Sequence, residues 1–88
     1  MAGTIGAEMG QLEQLKSTFT RESQTVQQLT QQINSSVEST WWKGPAADRF
    51  KTAWHSEFQP TLRELQAALQ EASAEVGRRH AALQQAGS

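Results

Sequence analysis

Trp41-Trp42-Lys43-Gly44-Pro45 lies near the middle of an 88-residue chain. It separates two stretches of similar length that carry helical periodicity and no strand pattern. Gly44 is read as the residue that ends the first helix, because only glycine takes the left-handed position past a C-terminus without a Cβ penalty. Pro45 cannot continue that helix, but its fixed φ suits the first position of the next. A stop beside a start predicts two helices folded back as antiparallel neighbours. Trp41 and Trp42 are expected at the bend, their rings covering the open end of the hairpin, with Lys43 and Pro45 supporting the turn.

Upstream of the turn, Ile5, Leu12, Phe19, Val26 and Ile33 recur every seven residues. Residues seven apart share a helix face, so they form one apolar seam. Leu15 and Leu29 fill two of the intervening positions, whereas Glu8, Glu22 and Ser36 occupy the others. Thr4 is the expected N-cap. The first helix is predicted over about 5–41, roughly 50 Å at 1.5 Å per residue, and the turn over about 42–45.

Downstream, the second helix is predicted over about 46–84, with Asp48 in its first turn where an acid favours the helix dipole. Phe50, Trp54, Phe58 and Leu62 follow at intervals of four. The rhythm then changes to threes and fours through Leu65, Leu69, Ala72 and Val76, which implies a local shift of register. Pro60 falls inside this run. It removes one backbone hydrogen bond and crowds the carbonyl of Ser56, at a cost of about 3 kcal/mol before packing compensates, so either a bend there or a break at Gln59 is expected, the unbroken stripe favouring the bend.

The expected architecture is all-α, a single helical-hairpin domain spanning 1–88. Two paired stripes leave their outer edges wet, and the area buried in so small a scaffold barely offsets its conformational entropy. The simplest remedy is a second hairpin, giving a four-helix bundle. The residues expected to build the shared core are Leu12, Phe19, Val26 and Ile33 from the first helix. From the second they are Phe50, Trp54, Phe58, Leu62, Leu69 and Val76.

Composition narrows the functional classes. With a formal net charge of -1 and interspersed charges, the chain has no electrostatic footprint for nucleic acid. It contains no cysteine, which excludes disulfides and thiolate metal sites. His55 and His80 have no ligand-forming residues at metal spacing and are read as structural or surface groups. No phosphate loop, nucleophile elbow or carboxylate pair is present, so no catalytic residue, metal or cofactor is expected and the chain is read as no enzyme. The first residues lack the charged and apolar regions of a Sec-type signal, and no apolar run approaches the roughly 18 residues of a membrane span.

Trp42-Lys43-Gly44 at mid-chain, with Ala46, Ala47, Phe50 and Trp54 following, resembles the WXG-motif family of ESAT-like substrates of type VII secretion systems. The resemblance covers essentially the whole chain. It implies a hairpin forming an antiparallel four-helix homodimer or heterodimer with a related protein. It also implies export from the cytoplasm in folded form, by a non-Sec route through a membrane-embedded ATPase, with Trp42 and Gly44 as the export motif. In that family one member of a dimer usually carries Tyr-x-x-x-Asp/Glu after its second helix, and that segment docks on the secretion ATPase. This chain has no tyrosine; its nearest spacing, His80 to Gln84, lacks both phenol and acid. The resemblance then assigns it the Trp-x-Gly half of a composite signal, the partner supplying the other. Two rival readings use the same stripes. One is a cytosolic adaptor or chaperone completing a bundle with a toxin's helical domain. The other is a membrane-active hairpin, which the Gln/Ser/Glu-rich polar face disfavours.

Overall fold

The computed structural model describes residues 2–87. Met1 and Ser88, which the expected domain includes, lie outside the described residues. Helix α1 runs Ala2–Ser39, α2 Pro45–Ala53 and α3 Gln59–Gly87, with a π-helical turn at Trp54–Phe58 joining α2 to α3. Together α2, the π turn and α3 make one continuous second arm, antiparallel to α1. Among the described residues there is no strand.

The arms form a rod of 66 × 17 × 12 Å with a radius of gyration of 19.6 Å. A globular chain of this length would have about 12 Å, so the rod has no room for an enclosed centre. Its accessible surface of 6371 Å² exceeds the roughly 5,100 Å² typical of a monomer of this mass. The excess of about 1,200 Å² is more than one partner's share of a standard protein interface.

The most deeply buried residues between the arms are a mixture of apolar and small polar ones. Val26, Ala47 and Trp54 are the buried apolar residues, joined by Ser23, Thr30 and Ser73. Hydroxyls satisfy themselves across and along the seam. Thr20 and Ser73 share a 2.8 Å hydrogen bond, Ser23 Oγ donates to the Gln66 carbonyl at 3.4 Å, and Thr30 Oγ1 donates to the Val26 carbonyl at 2.6 Å. Three pairs on the rim also cross between arms: His55–Glu38 at 2.7 Å, His80–Glu13 at 3.1 Å and Arg79–Glu8 at 3.8 Å. Such partly solvated pairs are worth at most about 1 kcal/mol each and orient the arms more than they bind them. On the outer side of α3, Arg78 bridges Glu75 and Glu71. The Glu75 hydrogen bond, followed by that of Glu71, holds its guanidinium more firmly protonated than a free arginine.

Three local features depart from the expected ones. Thr4 does not cap α1, which already begins at Ala2. The helix also stops at Ser39 and does not reach 41. Its end is rich in serine and threonine, and Thr40 still places both its backbone N–H (3.0 Å) and its hydroxyl (2.5 Å) on the Ser36 carbonyl, the last helix-type bonds before the linker. Just before Pro60, where a bend is expected, the arm contains a π turn, in which the Gln59 N–H reaches back five residues to the Trp54 carbonyl. Widening the turn immediately before Pro60 places the missing N–H where the hydrogen-bond ladder is already interrupted. One residue on, Thr61 Oγ1 donates to the Glu57 carbonyl at 2.7 Å.

Candidate functional site

Thr40 to Gly44 form the linker at one tip of the rod, beyond the end of α1. Gly44 has φ 113° and ψ 175°, the one positive φ among the described residues. This corrects the reading of Gly44 as the left-handed cap of the first helix. It lies five residues past Ser39 and is instead the N-cap of α2, its carbonyl accepting the Asp48 N–H at 3.0 Å. The conformation belongs to a region that essentially only glycine occupies. Pro45 follows at the first helical position, where its lost donor costs nothing.

The three tryptophans have different fates. Trp54 is buried in the seam, with its indole Nε1 donating to Asn34 Oδ1 at 3.1 Å. Trp41 stands almost wholly in solvent, so it covers no end of the hairpin. Trp42 is half-exposed and tilts against Phe50 with ring centroids 5.9 Å apart; Phe50 in turn meets Phe58 at 6.4 Å. Both spacings suit aromatic pairs. Trp42 and Phe50 join Ile33, Val37 and the Lys51 side chain around a cleft of about 370 Å³.

The run Phe50, Trp54, Phe58, Leu62, read as a single stripe, therefore divides. At about 100° per residue, steps of four drift forward by roughly 40° each time. The π turn interrupts that drift, leaving Trp54 inside and Phe50 and Phe58 together outside. The other expected core residues distribute similarly. Val26 is buried, and Leu12, Phe19, Leu62, Leu69 and Val76 are half-buried. Ile33 is exposed, as are Leu15 and Leu65 elsewhere along the rod. A band of large apolar side chains thus flanks the seam and is left close to half-exposed by the hairpin.

Some contributors had no signal in the sequence. Asn34 as the acceptor for Trp54, and the hydroxyl seam of Ser23, Thr30 and Ser73, depend on which face of each arm turns inward. Lys43 is solvent-exposed between Trp42 and Gly44. Among the described residues no group of His, Asp or Glu side chains is placed to hold a metal ion, and no helix is long and apolar enough to cross a membrane.

A paired-arm helical hairpin with an exposed Trp-x-Gly turn at its tip and an uncovered apolar flank is the class of protein that these features define. The sequence pattern described as proteins of 100 residues with WXG matches residues 4–88, and the chain belongs to that WXG100 family. No curated protein and no solved structure matches it significantly.

Proposed function

We propose that this chain is a non-catalytic substrate of a type VII, ESX-like secretion system, exported as a folded dimer in which two hairpins form an antiparallel four-helix bundle. Trp42 and Gly44 supply the Trp-x-Gly half of a composite export signal. A related hairpin supplies the other half, the C-terminal segment that docks on the secretion ATPase. Antiparallel pairing brings Trp42 of one hairpin near the C-terminal end of the other, so the two halves form one surface. The observation that carries this reading is the position of Trp42: it lies at the tip, half in solvent, outside the seam that holds the arms together. The uncovered apolar flank supports the dimer.

The test is export from a host with a type VII system, following the chain in culture medium against a cytosolic marker. Wild type is expected outside the cell. Trp42→Ala is expected to remain inside while keeping its helicity and its partner. Export of Trp42→Ala at the wild-type level would remove the signal role. Retention of the wild-type chain inside, bound to a helical toxin domain, would replace export with the adaptor reading.

A further inference from the structure

The four glutamates of α1 are not equivalent. Glu8, Glu13 and Glu38 each face a basic side chain of the second arm, namely Arg79, His80 and His55. Among the described residues Glu22 is the exception. Its contact is with Arg21, its neighbour in sequence, whose Nε reaches Oε1 at 3.2 Å. Adjacent residues on a helix point to different faces, so Arg21 approaches from beside the face that Glu22 occupies. That face is the uncovered one. Glu22 lies seven residues from both Leu15 and Leu29, and Leu15 is among the exposed large apolar residues.

Its height along the rod matters as much. The midpoint of Ala2–Ser39 falls at residues 20–21, and that of Pro45–Gly87 falls at Gln66. The Ser23–Gln66 hydrogen bond shows that these two levels coincide. When two copies of such a hairpin pair antiparallel about a two-fold axis, the axis crosses this level, and residues near it meet their own counterparts. A second copy would bring two Glu22 carboxylates into one desolvated layer. Like charges there cost binding, and a buried carboxylate needs a cation or donors facing it.

We propose that Glu22 is the partner-selecting residue of the apolar flank. It disfavours pairing of this chain with itself and favours a related hairpin that presents a lysine or arginine on its own apolar flank at mid-level, a face that this chain's Arg21, one position round the helix, does not occupy. This rests on the dimer of the proposed function but is separable from export. The partner chemistry can be tested with the chain itself. Sedimentation equilibrium of Glu22→Gln and Glu22→Leu at neutral pH should show self-association at least tenfold tighter than wild type, with far-UV circular dichroism unchanged. Wild type mixed with a tagged Glu22→Lys copy should form mixed dimers at least tenfold in excess of either self-pair. A wild-type chain that self-associates as tightly as Glu22→Leu overturns the proposal, as does statistical mixing with Glu22→Lys. Either result leaves the export reading standing. Conversely, a chain that is never exported but shows the Glu22 effect overturns only the export reading.

Discussion

Truncating the three tryptophans one at a time separates the part of the turn region that holds the fold from the part that is presented. Trp54 is 4 % exposed, Trp42 42 % and Trp41 85 %. Replacing a fully buried tryptophan by alanine costs about 3–5 kcal/mol. Trp54→Ala should fall in that range, because it also releases the indole from Asn34 Oδ1, a hydrogen bond worth about 1 kcal/mol. Trp42 loses a little more than half as much contact, so Trp42→Ala is expected to cost about 2 kcal/mol. Trp41→Ala should cost about 0.5 kcal/mol. Small domains hold about 5 kcal/mol or more in total, so Trp54→Ala should bring the chain to the edge of unfolding where Trp42→Ala leaves it well folded. The assay is urea unfolding followed by far-UV circular dichroism, with all variants at one protein concentration, since association with another copy shifts the midpoint. Trp54→Phe adds a control, keeping most of the ring's burial and removing the donor. If Trp42→Ala destabilises as much as Trp54→Ala, the turn tryptophan is part of the core, and its assignment as an export determinant fails.

Gly44→Ala and Gly44→Asn should both lose about 1–3 kcal/mol in urea unfolding, since neither residue adopts the backbone found there. Nothing lies within 4 Å of a Cβ added at Gly44, so the loss is conformational and not steric. An asparagine that is tolerated would show that the position is an ordinary left-handed cap. Pro60→Ala should gain well under the roughly 3 kcal/mol associated with proline inside an α-helix, because the π turn already accommodates it; a full gain in the same assay would contradict that account. Gly77→Ala should stabilise α3 by about 0.5–1 kcal/mol through helix propensity. The new methyl would approach Lys16 Cε at 3.3 Å, the far end of a flexible side chain that can move aside. A lower melting temperature for this variant would mean that Lys16 cannot yield.

Most of the architecture was legible in the sequence because the signals were redundant. The recurrence at every seventh residue from Ile5 to Ile33, the Gly44-Pro45 junction and the absence of any alternating pattern all pointed to a hairpin. The errors arose where two local rules competed. Glycine before proline reads as a stop followed by a start, yet α1 ends at Ser39, five residues earlier, and Gly44 caps the second arm. The interval of four through Phe50, Trp54 and Phe58 was visible, and so was Pro60. Their joint solution as a π turn was not, because periodicity alone cannot say whether drift is absorbed by a bend, a supercoil or one extra residue. Trp54 was already placed in the core by its interval of four; what periodicity could not show was that Phe50 and Phe58 would lie outside it.

The division between seam and flank has an energetic logic. Ser23, Thr30 and Ser73 are small, so the arms approach closely, and their hydroxyls find partners within the hairpin. Small polar residues bury little apolar surface, however, and at about 25 cal/mol per Å² that leaves the arms weakly joined. Had Leu15, Ile33, Phe50 and Leu65 turned inward, the hairpin would hold itself together more firmly but would present a polar outer surface with nothing to bind. Placing them on the flank reverses this: the same side chains that fail to stabilise one hairpin become the means of stabilising two. In the proposed dimer, folding and partner recognition thus draw on one set of residues. A single glutamate set among them, at the level where a two-fold axis would pass, then acts on both at once.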